Sequence, residues 1–182
     1  LHASTGILFN HESPRRGMEF VTRKVSLSAA RIASGIQEEM EIGNVLAKRD
    51  WGFAGDYVKM MWKMLQQDEP DDFVIATGET NSVKEMIDVS FSRAGMDLSW
   101  DGKGVETRAV DSSGKTRVVT NPKFFRPAEV DVLVGDHRKA SEKLGWIPET
   151  SFKELMHMMV DSDIELVRRS LEKGEDPPVP LI

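Results

Sequence analysis

The chain has no cysteine, one tyrosine and four histidines in 182 residues. Without cysteine there can be no disulfide and no thiolate metal site. The histidines, His2, His11, His137 and His157, are scattered with no His-x-x-x-His spacing, so no metal is expected. Basic charge is short as well: 24 Lys and Arg against 30 Asp and Glu leave a net charge of -6, which argues against a nucleic-acid partner. Any phosphate must then be met by a few placed cations. No apolar run approaches the ~20 residues of a membrane span, so no membrane partner is expected. The start Leu1-His2-Ala3-Ser4 lacks the charged region and apolar core of a signal peptide, which makes the cytoplasm the expected location. Two motifs are also missing. There is no Gly-x-x-Gly-x-x-Gly run, and four residues after Tyr57 stands Met61, so no Tyr-x-x-x-Lys pair can be written.

What is present suffices for a globular core. With 40% hydrophobic residues, one domain is expected over residues 1–173, followed by a proline-rich tail, 174–182, that is extended or disordered. Gly6-Ile7-Leu8-Phe9 reads as a buried strand, ending in the charged, proline-stiffened run Asn10-His11-Glu12-Ser13-Pro14-Arg15-Arg16-Gly17. Polar groups at a strand's carboxyl end lie where open α/β sheets bind ligands, and paired arginines suit an anion. A solvated turn is the competing reading. Residues 20–34 carry Val21, Val25, Ala29, Ile32 and Ala33 at near-helical spacing before Gly35, which predicts a helix with one buried face. Met40-Glu41-Ile42-Gly43 reads as a short strand. After residues 52–56 comes a helix whose Val58, Met61, Trp62 and Leu65 are expected in the core. Phe73-Val74-Ile75-Ala76 reads as a buried strand, and Ser82-Val83-Lys84-Glu85 as a capping box opening a helix to Gly95. Residues 97–114 read as a loop or weak hairpin leading to Arg117-Val118-Val119. A second capping box, Ser151-Phe152-Lys153-Glu154, starts a long last helix with Leu155, Met158, Met159, Ile164 and Val167 inward.

The wording Gly-Ile-Leu-Phe-Asn-His-Glu-Ser-Pro-Arg-Arg-Gly, followed by Phe20-Val21-Thr22-Arg23-Lys24, resembles the GDP-mannose 4,6-dehydratase family of extended short-chain dehydrogenase/reductases. The similarity recurs at Ala47-Lys48-Arg49-Asp50-Trp51-Gly52, at Asp72-Phe73-Val74-Ile75-Ala76-Thr77-Gly78-Glu79, at Phe125-Arg126-Pro127-Ala128-Glu129-Val130-Asp131 and at Leu144-Gly145-Trp146. It implies an α/β fold of Rossmann type, of which this chain is the carboxyl-terminal, substrate-binding part. The family's glycine-rich turn and its catalytic Tyr-x-x-x-Lys are not in this chain, so the chain alone is expected to be inactive. The implied reaction is an NADP-dependent lyase step that turns GDP-mannose into GDP-4-keto-6-deoxymannose and water, on the route to GDP-fucose. A homo-oligomer, dimer or tetramer, is implied for the complete enzyme. Two alternatives remain: a sugar-nucleotide epimerase or reductase of the same superfamily, or a non-catalytic nucleotide-sugar binding module.

The resemblance assigns His11 and Arg16 to NADP, and Asn10, Val21, Lys24, Arg49, Arg126 and Glu129 to the sugar nucleotide. Chemistry agrees at several of these. Arg16 offers the cation that a desolvated phosphate needs. Val21 and Lys24 stand at a helix start, where free N–H groups favour an anion. Arg49 is implied to face the diphosphate, although Asp50 beside it is a possible ion-pair partner. Pro127 restricts Arg126 to extended backbone, and the Glu129 carboxylate can accept from both hydroxyls of a ribose. An Arg126–Glu129 surface pair is the competing reading, worth only ~0–1 kcal/mol. Phe124-Phe125 stands where relatives often have a tyrosine, which removes any hydroxyl contact there.

Overall fold

A computed structural model describes residues 1–125, 130 and 132–181. In chain order the strands and helices are β1 (Gly6–Leu8), β2 (Asn10–Glu12), α1 (Val21–Ala33), β3 (Met40–Ile42), β4 (Lys48–Arg49), β5 (Trp51–Phe53), α2 (Ala54–Met64), β6 (Phe73–Ile75), β7 (Asn81–Ser82), α3 (Val83–Arg93), β8 (Leu98–Asp101), β9 (Arg108–Asp111), β10 (Thr116–Thr120), β11 (Val132–Leu133), α4 (Arg138–Leu144) and α5 (Phe152–Glu172). They group into two compact units. Leu1–Ser13, Lys48–Asn81 and Val130–Leu155 form the first, and Pro14–Ala47, Ser82–Glu129 and Met156–Ile182 the second. No helix among the described residues is long and apolar enough to cross a membrane.

The first unit is built on parallel strand pairs. β1 runs beside β6 with Gly6 opposite Phe73, β2 beside β5 with Asn10 opposite Trp51, and β11 beside β4 with Leu133 opposite Arg49. The chain does not leave the sheet after Phe9. Phe9 N–H still donates to the Ile75 carbonyl at 2.9 Å, and from Asn10 onward the partner is β5. The charged run therefore begins as a strand, at the point where the pairing changes from β6 to β5. Such a change of partner at strand carboxyl ends opens the crevice that α/β folds use for ligands. Nor is β1 fully buried, since Ile7 is 53% exposed. The core of this unit joins Tyr57, Met60 and Met64 of α2 to Phe73, Ile75, Ala140 and Trp146.

The α2 surface reverses the expected assignment. Val58, Met61, Trp62 and Leu65 point outward, Trp62 at 64% exposure, whereas Tyr57, Met60 and Met64 are buried. Two apolar rows run along this helix, and periodicity alone cannot say which one faces the sheet.

The second unit carries a four-stranded sheet in the order β3-β10-β9-β8, with β10 parallel to β3 and antiparallel to β9. Residues 97–114, read from sequence as a loop or weak hairpin, supply two of its strands, β8 and β9. Thr22 through Ala30 of α1 are all buried, so α1 is enclosed on every side rather than on one face. Leu27 and Ala30 pack with Val167 of α5. On α5, Leu155, Met159 and Val167 are inward as expected, but Met158 is 36% exposed. The Ser82–Glu85 capping box forms in both directions, with Ser82 N–H donating to Glu85 Oε2 at 2.6 Å and Glu85 N–H to Ser82 Oγ at 3.1 Å. The tail is tied down: Arg31 Nη1 donates to the carbonyls of Pro177 and Pro178 at 2.9 Å each, and Leu181 N–H to that of Met18.

Candidate functional site

Asn10, His11 and Arg49 belong to the first unit, and Arg16, Val21 and Lys24 to the second. Arg126 and Glu129 lie outside the described residues.

In the first unit, His11 sits on β2 opposite Gly52 of β5. Its Nδ1 lies 2.8 Å from the Phe9 carbonyl, which can only accept, so Nδ1 carries the proton. The ring stacks on Tyr57 with centroids 5.0 Å apart. Tyr57 is fully buried, and burial together with Asp50, Glu12 and Asp56 pushes its phenol above the ordinary range. Such a shift favours the neutral hydroxyl. The stack needs Gly52, because a Cβ there would stand 2.4 Å from the Tyr57 ring.

Arg49 Nη1 donates to the carbonyls of Lys48 and Val130, at 2.8 and 2.5 Å. Asp50, whose possible role is a partner for Arg49, is buried and collects four other donors. They are Thr77 N–H at 2.9 Å, Thr77 Oγ1 at 2.7 Å, Gly78 N–H at 3.0 Å and Gly135 N–H at 3.2 Å. One carboxylate thus ties the end of β4 to the segments that follow β6 and β11. Gly135 must be glycine here, since a Cβ would lie 2.2 Å from that of Ala76. Sequence reading missed this tie, because three of its four donors are backbone N–H groups and all lie far away in the chain.

In the second unit, the first turn of α1 holds no acidic residue and its N-cap, Phe20, offers no side-chain cap. The positive end of the helix is therefore open to an anion. Arg16 lies over the Phe20 ring at 3.5 Å, and Lys24 over the Phe124 ring at 4.2 Å. Burial pulls the Lys24 ammonium below its usual pKa, while Glu41 acts against that shift. Beside them is a cluster that sequence reading overlooked. Arg23 Nη2 meets Asp163 Oδ1 at 2.7 Å, Ser26 Oγ donates to Asp163 Oδ2 at 2.6 Å, and Arg23 Nη1 donates to the Pro14 carbonyl. Burial raises the Asp163 carboxyl to about 6, with Ser26 and Arg23 opposing. A signal existed: Leu155, Met159, Asp163 and Val167 share one i, i+4 row of α5, and a carboxylate in an apolar row needs a buried partner. Among the described residues no group of three or more His, Asp or Glu could hold a metal ion.

The parallel strand pairs of the first unit, with helices following the strands, define an α/β fold of Rossmann type, the class of the extended short-chain dehydrogenase/reductases. Solved structures share this fold. RMD from Pseudomonas aeruginosa, in complex with NADPH, superposes with a TM-score of 0.71 at 20% identity over 88% of this chain and 48% of its own. UDP-glucose 4-epimerase from Thermotoga maritima, with UDP-glucose, gives 0.65 at 23% identity over 92% and 46%. The family model described as GDP-mannose 4,6 dehydratase matches residues 1–159, and the chain belongs to that family. GDP-mannose 4,6 dehydratase of Drosophila melanogaster is 51% identical over 171 residues, covering 93% of this chain and 43% of the relative. The enzyme of that name from Homo sapiens is 53% identical over 169 residues, covering 92% and 45%. The chain spans about half the length of the curated relatives it matches.

Proposed function

We propose that this chain is the sugar-nucleotide-binding part of an NADP-dependent GDP-mannose 4,6-dehydratase that works as a homo-oligomer. The observation that carries the reading is the identity of 50–53% to relatives of that name across more than nine-tenths of the chain. The epimerase and reductase alternative is not favoured, since it rests on folds at 23% identity or less. When bound, NADP would supply the redox chemistry that the loss of water from the hexose requires, and His11 and Arg16 would hold it. The donor set suits such a cofactor: Arg16 supplies the cation a phosphate requires, and His11, its Nδ1 proton committed to Phe9, presents a fixed tautomer. Asn10, Val21, Lys24, Arg49, Arg126 and Glu129 hold GDP-mannose, with Lys24 at the open helix start. The chain itself contributes binding and orientation, not the proton-transfer tyrosine.

Calorimetric titration of the chain with GDP-mannose tests this. Lys24→Met removes a charge-assisted contact, worth about 1.5–3 kcal/mol, and is expected to weaken binding roughly ten- to a hundred-fold. Lys59→Met, at an exposed ion pair with Glu149, is expected to bind as the wild type does. Equal affinities in all three proteins, or no binding by the wild type, would overturn the reading.

A further inference from the structure

Arg23, Ser26 and Asp163 form a buried polar cluster that links α1 to α5. Its ion pair, from Arg23 Nη2 to Asp163 Oδ1, uses one arm of the guanidinium. The other arm, Nη1, donates outside the cluster, to the Pro14 carbonyl. Ser26 Oγ donates to the second carboxylate oxygen, Oδ2, so Asp163 is fixed from both sides and in turn fixes the direction in which Arg23 points. A rigid planar fork held at one end delivers its other end to one place.

Stability alone does not account for this pair. Replacing a buried ion pair by well-packed apolar side chains is often neutral or stabilising, which leaves the setting of a position as the reason to keep the charges. The segment that follows Pro14 carries Arg15 and Arg16, and it is tied at further points. Phe20 N–H donates to the Gly17 carbonyl at 3.2 Å, Leu181 N–H to the Met18 carbonyl at 3.3 Å, and the Arg16 guanidinium lies over the Phe20 ring. Those ties hold the side chain of Arg16 and the backbone after it. The bond from Arg23 to Pro14 holds the backbone before it.

We propose that Arg23 and Asp163 are positioning residues for Arg16: the pair anchors the backbone ahead of Arg15 and thereby aims the Arg16 guanidinium at a phosphate of the dinucleotide. This rests on the reading of Arg16 as a cofactor contact given above. Arg23 acts through Pro14 rather than by touching the ligand, because Nη1 and Nη2 are both engaged inside the protein. A segment ordered before the ligand arrives loses less freedom on binding, so loosening it weakens affinity although every ligand contact is still available.

The test separates positioning from support of the fold, with three readouts: the thermal midpoint, the rate of tryptic cleavage after Arg15 and Arg16, and NADP affinity from NMR titration. The double exchange Arg23→Met/Asp163→Leu replaces the pair by apolar groups and is expected to keep the midpoint within about 4 °C of wild type. Cleavage is nevertheless expected to become about tenfold faster and NADP to bind roughly five- to tenfold more weakly. Arg23→Lys, a second variant in case the first does not fold, keeps the charge but not the fork, and is expected to move cleavage and affinity the same way. In an Arg16→Ala background the double exchange is expected to change NADP affinity by less than about twofold, because nothing is left to aim. A double exchange with wild-type midpoint, cleavage and affinity would make the pair a support of the fold only. Faster cleavage with unchanged affinity, or a full loss of affinity that persists in the Arg16→Ala background, would equally overturn the positioning of Arg16. If wild type binds NADP no better than Arg16→Ala does, the cofactor reading of Arg16 falls, and the inference with it.

Discussion

Arg23 and Asp163 show how one buried pair serves a binding loop. Arg23 is 6% exposed and Asp163 fully buried, yet between them they hold Ser26 and the carbonyl of Pro14, at the start of the segment that carries Arg15 and Arg16. Removing one partner of such a pair leaves an uncompensated buried charge. Arg23→Met is thus expected to lower stability by about 3–5 kcal/mol at pH 7, and by clearly less at pH 4, where Asp163 can take up a proton. In the wild type the sign follows from the raised pKa. The folded carboxyl binds its proton more tightly than the unfolded one, so its contribution is fullest below the ordinary value of 3.8 and declines as pH rises to about 6. Urea unfolding of wild type, Arg23→Met and Asp163→Asn at pH 4, 5, 6 and 7 reads this directly. The wild-type minus Asp163→Asn difference should change across pH 4–6, and a difference flat in pH would mean that Asp163 is not held as described.

At the scale of elements, α2 and α5 mark where sequence patterns sufficed and where they did not. Both capping boxes form at the expected positions, because Ser-x-x-Glu needs only neighbours three residues apart. The inner face of α2 was not legible, since its two apolar rows compete and only the strands packed against it decide between them. Its consequence is measurable: Met60→Ala, at a fully buried site beside Met64 and Phe73, is expected to cost about 2–5 kcal/mol. Trp62→Gln, on the outer face, should stay within about 0.5 kcal/mol of wild type. The reverse order in thermal unfolding would restore the face that periodicity first suggested. In residues 97–114 it is the hairpin, one of the two readings open from sequence, that forms. Asp and Gly content signals turns and left loop and hairpin undecided, because composition does not record that β8 pairs with β9 and β9 with β10.

For the whole molecule, the fold class was readable because it lies in long ordered matches, and the same matches carry the proposed site residues. The structure added what such matches cannot contain: the Asp50 tie, the Arg23–Asp163 pair and the tail clamped by Arg31. It also bears on turnover by this chain alone. The family reaction needs a tyrosine that exchanges a proton with the hexose, next to a lysine that lowers its pKa. Tyr57, the one tyrosine present, is sealed between His11, Trp146 and Gly52, and its pKa is moved the opposite way. A buried phenol whose charged neighbours, among the described residues that shift it, are carboxylates is poorly suited to act as a general base near neutral pH. The 182-residue chain, supplied with NADP and GDP-mannose, is therefore expected to form no GDP-4-keto-6-deoxymannose, as followed by chromatography of the nucleotide sugars. Tyr57→Phe sharpens the test, because it removes the hydroxyl and keeps the stack on His11. Product formed by wild type and lost in Tyr57→Phe would make Tyr57 the proton carrier after all and require β2 and α2 to open. Product formed equally by both would place the base on another residue of this chain.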